Sequence, residues 1–178
     1  KISYLFPRAH AVAYVMMAFR IAWFKVYHPL AFYAAYFSIR AKAFDLRIMT
    51  GDLKTQMTEF NRIKALDRAA SPKDKDLMSA LEVSMEMYQR GYRFINVDIQ
   101  HSEARRFSIK DGALLPPFLA IDSLGETVAD AIVAEREERP FTSLKDLQRR
   151  CKVSNTIIDL MKELKCCGEL PEDEQMSL

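Results

Sequence analysis

The stretch from residue 121 to 150 constrains the fold more than any other part of the chain. It reads Ile-Asp-Ser-Leu-Gly-Glu-Thr-Val-Ala-Asp-Ala-Ile-Val, then a charged turn, then Arg-Pro-Phe and Thr-Ser-Leu-Lys-Asp-Leu. A short apolar element ends at a turn holding Gly125. Val128, Ala129, Ile132 and Val133 then recur at helical core spacing. This is the outline of a helix-hairpin-helix unit, an arrangement that grips a DNA backbone without reading bases. Gly125 has a chemical reason to be there, because a residue without Cβ lets the backbone approach a phosphate or take a positive φ. The N–H groups of Glu126, Thr127 and Val128 would open the next helix and point at an anion. Ser123 and Leu124 complete the candidate contact set, Ser123, Leu124, Gly125, Glu126, Thr127 and Val128. The usual hairpin carries two glycines, and here Leu124 sits between Ser123 and a single Gly125. The residues alone also permit a helical hairpin that merely packs.

Upstream, residues 9–24 are almost entirely apolar, broken by His10 and Arg20, and residues 30–39 are apolar and aromatic again. No run reaches the ~18 to 20 charge-free residues of a membrane span, so two consecutive buried helices are expected, with Pro29 in the first turn of the second. Trp23, Phe24, Tyr27, Phe32, Tyr33, Tyr36 and Phe37 read as core. Asp52 is placed to cap a helix with Leu53, Met57, Phe60 and Ile63 on one face. Ser71-Pro72-Lys73-Asp74 reads as a linker or cap. Leu77, Leu81, Met85 and Tyr88 form the clearest helical stripe, with Gly91 where a C-cap belongs. The period then changes. Residues 94–99 and 105–109 alternate, and Lys110-Asp111-Gly112 is a hairpin signal before Ala113, Leu114 and Leu115. A small antiparallel sheet is therefore expected before the hairpin unit. Ser143 and Asp146 form a capping-box pattern, and Ser154 caps a last helix with Ile157, Ile158, Met161 and Leu164 inside. Beyond Gly168 the chain is acidic and is expected to be unstructured. No internal repeat is visible.

The formal net charge of +2 is too small to name a partner, but its distribution is uneven, with a basic head and an acidic tail. Cys151, Cys166 and Cys167 form no disulfide framework and no four-ligand zinc set. Together they favour a reducing, cytoplasmic setting. His28 and His101 read as structural or surface residues, and no metal site is expected. The sequence begins inside an apolar, basic run, which suggests a piece of a longer chain.

Three stretches together resemble one family. They are Phe6-Pro7-Arg8-Ala9-His10-Ala11-Val12-Ala13-Tyr14-Val15, Leu115-Pro116-Pro117-Phe118 running into Ile121-Asp122-Ser123-Leu124-Gly125, and Glu174-Gln175-Met176-Ser177-Leu178. In order and at this spacing they resemble the C-terminal end of the PolC-type DNA polymerase III alpha subunit, nearly end to end. Arg8 departs from the family's usual Lys, which keeps the charge but changes its geometry.

The resemblance implies a mainly α fold: a helical fingers segment with a small antiparallel β-sheet, then a helix-hairpin-helix duplex-binding domain. It places fingers over residues 1–115, the duplex-binding domain over 116–168 and a flexible acidic tail over 169–178. It implies a non-catalytic part of an enzyme that makes DNA from deoxynucleoside triphosphates. The palm, with its Mg-binding aspartates, would lie upstream, leaving no catalytic residue and no cofactor here. Arg8, His10 and Tyr14 would line the pocket of the nascent base pair. There a flat ring tests pair shape and fixed cations favour the incoming dNTP. The residues alone read first as a half-buried core with Arg8 snorkelling, and only the resemblance favours the pocket. Gln175, Met176, Ser177 and Leu178 resemble the motif that docks on the sliding clamp, without its usual terminal Phe. The implied partners are primer-template duplex DNA, dNTP, the clamp and the missing polymerase domains, with no membrane. The competing classes are a free-standing DNA-binding module and a protein-interaction module of the same fold.

Overall fold

A computed structural model describes residues 7–173. The chain is mainly helical. In order it forms α1 (Arg8–Tyr27), α2 (Pro29–Ile39), α3 (Leu46–Met49), α4 (Leu53–Leu66), α5 (Pro72–Gln89), β1 (Ser108–Lys110), β2 (Ala113–Leu115), α6 (Glu126–Glu138), α7 (Leu144–Cys151) and α8 (Asn155–Glu163). Short 3-10 turns lie at Asp67–Ala69 and Phe118–Ala120.

The helix boundaries follow local chemistry. Asp52 accepts from the Thr55 amide at 2.8 Å and starts α4. At α5 the Ser71 side chain takes the Asp74 amide, Asp74 takes the Ser71 amide, and Pro72 fills the first turn, a complete capping box. Gly91, at φ 85°, ends that helix as expected. Only His28 separates α1 from α2, so the connection is tight.

The sheet is smaller than the alternation predicts. β1 and β2 pair antiparallel with Lys110 opposite Ala113. Their loop residues, Asp111 at φ 51° and Gly112 at φ 74°, both take the left-handed conformation that matches the strand twist. The expected strand over 94–99 is one parallel bridge, Phe94 to Leu114. Ile95 donates to the Leu114 carbonyl at 2.8 Å, and Leu114 to that of Arg93 at 2.9 Å. Beyond them the Asn96 side chain takes the Val97 amide, and the chain turns away to pair Ile99 N–H with the Cys166 carbonyl.

Two hydrophobic clusters result. One joins α2, α4, α5 and the sheet around Tyr33, Phe37, Ile63, Leu81, Phe94 and Leu114. The other joins Phe118, Ile121 and α6–α8, and it also takes in Leu46, Val97 and Ile99. Phe44 packs against both. The predicted stripes hold at Ile63, Leu77 and Leu81 and shift by a residue elsewhere. On α4 the buried positions are Gln56 and Ile63, while Met57 is exposed. On α5 they are Leu77, Ala80, Leu81, Ser84 and Met87. The reason is a polar bridge inside the first cluster. Gln56 is fully buried and donates to the Met49 carbonyl at 3.1 Å. It accepts from the Ser84 hydroxyl at 2.6 Å. A buried amide with both ends satisfied takes the inward position and leaves its neighbour Met57 outside.

The largest departure is at the head. Of the two helices expected to be buried, only α2 buries anything, through Tyr33 and Phe37; α1 has no buried residue. Trp23, Phe24 and Tyr27 are exposed, and Phe32 and Tyr36 are half-buried. The physical reason is that α1 is anchored at one end only. Lys25 pairs with Glu86 of α5 at 2.7 Å, and Arg90 donates to the Lys25 carbonyl at 3.1 Å. A groove of about 790 Å³ between the two helices is lined by Ile21, Phe24, Ala31, Phe32, Tyr36 and Ile39, among others. By length and composition, with a mean hydropathy of 1.2, α1 is also the one described helix that could cross a membrane.

Gln56→Ala removes both bonds and leaves the Ser84 hydroxyl and a small void unfilled. Chemical denaturation should show a loss of about 3 kcal/mol, with the Ser84→Ala/Gln56→Ala double variant losing less than the sum of the singles.

Candidate nucleic-acid interface

The turn Phe118–Ala120 and the residues after it deliver the chain to α6. Ile121 N–H bonds to the Phe118 carbonyl at 3.0 Å, and Leu124 N–H to that of Ile121 at 3.2 Å. Ser123, not Gly125, carries the left-handed conformation, at φ 63°. Leu124 is buried in the second cluster and anchors the turn. Gly125 is the N-cap of α6, at φ −76° and ψ 157°, with no side-chain cap bond. Any residue adopts that conformation, and no described atom lies within 4 Å of where its Cβ would stand. The fold therefore makes no demand for glycine at 125. The positive φ that was one reason for a glycine there belongs to Ser123, and Gly125 stands exposed with open space beside it. Ser123, Gly125, Glu126 and Thr127 are exposed and Val128 is half-buried, so the turn presents backbone amides on an open face.

The same local geometry occurs a second time. Lys152 is left-handed at φ 53°, Val153 is buried, and Ser154 is the N-cap of α8 at φ −71° and ψ 156°. Position by position this matches Ser123, Leu124 and Gly125. The unit is a tandem: a hairpin into α6, then a hairpin from α7 into α8. No residue identity is shared between the two turns, which is why the sequence shows no repeat.

The two turns differ in charge. Around the first are Asp122, Glu126 and Asp130. Arg105 holds the last two, with Nη1 at 2.6 Å from Glu126 and Nε at 3.1 Å from Asp130. The second carries exposed Lys152 and follows Arg149 and Arg150. Arg149, two-thirds exposed, lies 2.9 Å from Asp146, whose side chain is fully buried. Arg139 and Arg150 reach the same carboxylate at 3.3 Å each, and the Thr142 amide donates to it at 3.3 Å. The Asp146 amide caps on Ser143 as expected, at 3.0 Å, while its carboxylate serves this cationic cluster. Burial pushes the Asp146 carboxyl up, but the bonds from Arg149, Thr142 and Arg150 outweigh it and hold the group below its ordinary 3.8. Arg136, which the sequence leaves in a solvated turn, is half-buried and donates to the Ile99 and Ser102 carbonyls at 2.9 Å each.

A helix-hairpin-helix motif family matches residues 91–175. Over its whole length the chain is 48% identical to "DNA polymerase III PolC-type" of Caldanaerobacter subterraneus subsp. tengcongensis, of which it covers 13%. It is 49% identical to the Streptococcus suis protein of that name and 46% to a Streptococcus pyogenes one, covering 12% of each. The chain is homologous to the PolC-type DNA polymerase III. It spans about an eighth of the length of these relatives.

In this PolC homologue the other sequence-predicted residues fall as follows. His10 and Tyr14 lie one turn apart on exposed α1, with ring centroids 4.4 Å apart in an edge-to-face arrangement. Arg8 is exposed on the same helix, about 200° around from His10. Gln175, Met176, Ser177 and Leu178 lie outside the described residues. Among the described residues no group of three or more His, Cys, Asp or Glu could hold a metal ion. His101 Nδ1 lies 2.9 Å from Asp98 and 2.8 Å from Lys110. All three cysteines are buried. Burial pushes the Cys151 thiol to about 11, helped by Glu135, and that of Cys166 to about 12, helped by Cys167.

The tail also departs from expectation. Residues 169–173 are tied to the start of α7, where the Pro171 carbonyl accepts from Leu144 N–H at 2.9 Å and the Glu172 carbonyl from Lys145 N–H at 3.2 Å, although Glu169, Glu172 and Asp173 stay exposed. Glu172 pairs with Lys162 at 2.7 Å and Asp173 with Lys145. Acidic composition suggests solvation, but the partners lie on α7 and α8, beyond the reach of a local reading.

A depressed carboxyl contributes stability that is complete above its unfolded value and lost as pH falls through the folded one. Asp146→Asn should therefore cost about 3 kcal/mol near neutrality. It should also flatten the pH dependence of melting below pH 3.8, the ordinary value. Thermal melts from pH 7 to 2.5 check both.

Proposed function

We propose that this chain is the duplex-gripping part of a PolC-type replicative polymerase, joined to the end of its fingers, and that both hairpins seat on backbone phosphates. The observation that carries this reading is the repeated exposed N-cap at Gly125 and Ser154, each fixed by a buried neighbour and a left-handed residue. Two such turns present helix-opening amides to two points on a backbone, with no side chain placed to read a base. Arg105 offsets part of the charge of Glu126 and Asp130 at the first turn, while Lys152 supplies direct attraction at the second.

The whole protein would synthesise DNA from deoxynucleoside triphosphates using Mg held in a palm outside this segment. His10 and Tyr14 would face the nascent base pair, with Arg8 on the opposite side of α1, and Gln175 to Leu178 would dock on the sliding clamp in the cytoplasm. The exposed α1 supports a fingers role over a free-standing module. A 20-residue apolar helix tied to its neighbour only at its C-terminal end is suited to being covered by the remaining polymerase domains.

Gly125→Val fits the backbone at φ −76° and meets no neighbour, so the variant should stay folded, losing no more than the roughly 1 kcal/mol that an apolar N-cap costs, while losing duplex affinity for every sequence alike. Lys152→Glu should weaken binding and reduce the slope of log affinity against log salt by about 1. Fluorescence anisotropy on primer-template duplex across a salt series is the measurement. Unchanged affinity in both variants would sink the reading.

For the pocket, Tyr14→Ala removes a side chain that is 65% exposed. Stability and duplex affinity should stay within error while single-nucleotide incorporation by the full polymerase slows at least about tenfold. Unaltered incorporation would return Tyr14 to a surface role.

A further inference from the structure

The segment 169–173 does something its composition does not suggest. It crosses the ends of both helices that flank the second hairpin. Two of its carbonyls take the Leu144 and Lys145 amides, two of the four N–H groups that open α7 without an intrahelical acceptor. Its carboxylates then reach one lysine on each helix, Asp173 to Lys145 on α7 and Glu172 to Lys162 on α8. Leu170 packs on the second cluster. Lys145 lies seven residues before Lys152, and Lys162 eight after Ser154. The strap therefore grips α7 and α8 at the ends away from their shared turn, about 10–12 Å along each axis. A bond from Gln148 to Asn155 links the helices nearer the turn.

We propose that Glu172 and Asp173 are positioning residues for the second hairpin. The strap fixes how far α7 and α8 splay, and that splay sets the direction of the Ser154 cap and the Lys152 side chain. The inference rests on the reading that this hairpin meets phosphate, but its structural half does not. A V-shaped pair of helices joined by a three-residue turn has one soft degree of freedom, the opening angle. A crossbar at the open end removes it. The turn then meets its ligand already shaped, and the ordering cost on binding falls.

The test uses Glu172→Lys/Asp173→Lys in the full polymerase chain. This variant adds positive charge, so simple electrostatics predicts tighter DNA binding. A strap acting only as an acidic cover over Lys145 and Lys162 predicts tighter binding too. The crossbar predicts the opposite sign: duplex affinity falls at least about fivefold despite the added charge. Amide exchange at residues 152–155 accelerates, while exchange in α4 and α5 is unchanged. The charge-swapped quadruple variant, which adds Lys145→Glu and Lys162→Glu, returns exchange at the hairpin to near the wild-type rate. It does so even though those lysines are gone, which a merely cationic role for them would not allow.

Exchange at 152–155 that stays at the wild-type rate in the double variant overturns the proposal, as does affinity that rises. Accelerated exchange with unchanged affinity, together with a silent Lys152→Glu, would sustain the crossbar and remove the phosphate from the second hairpin. The two failures are thus told apart. A global loss of fold would show as faster exchange throughout. In that case Glu172→Gln alone, which removes one arm of the crossbar, takes the place of the double variant under the same two criteria.

Discussion

The C-terminal half of the structure hangs on one buried carboxylate. Asp146 sits in the first turn of α7 and gathers Arg139 from the corner before it and Arg149 and Arg150 from the turns after it. Arg150 carries the link onward to Glu135 of α6 at 2.9 Å and lies over the Phe141 ring. Burying an isolated carboxylate is prohibitively costly, so it persists only because every oxygen is occupied. The arrangement does two things. It sets the corner between α6 and α7, and hence the relation between the turns at Ser123 and Lys152. It also keeps two cations, Arg139 and Arg149, half out in water on a surface that would otherwise be nearly neutral.

What the sequence made legible was whatever depends on near neighbours. The caps at Asp52, Ser143 and Ser154, the C-terminal Gly91 and the Asp111-Gly112 turn each follow from a few adjacent residues, and each stands where it was expected. The features that stayed hidden depend on distance or on backbone angle. Ser123 and Lys152 share a φ but no chemistry, so a tandem built on them leaves no trace in residue identity. Met57 looked like core until Gln56, satisfied by Met49 and Ser84 from other elements, took its place. The acidic strap read as solvated because Lys145 and Lys162 lie on helices that only the fold brings beside it. Of the two reasons the sequence offers for Gly125, a positive φ falls away, and the residue stands exposed with open space beside it.

The head of the chain inverts the usual relation between composition and burial. Its aromatic richness reads as core, and for Tyr33 and Phe37 it is. Along α1 the same richness faces outward, with Tyr14, Phe19, Trp23 and Tyr27 all about half exposed or more. A helix with so few contacts inside the chain has a sequence that answers to whatever lies on its other side. The PolC relatives that the chain matches are several times longer than it is.

The cysteines have a practical consequence. Each of the three is buried, and two have thiols raised to about 11 and about 12. At neutral pH they stay protonated and shielded, so maleimide reagents have little to attack. New cysteines placed on the open faces, beside Lys152 or at the tip of the Ser123 turn, would carry dyes or spin labels without first stripping the native thiols. Distances between the two turns then become readable in solution on an otherwise unaltered background.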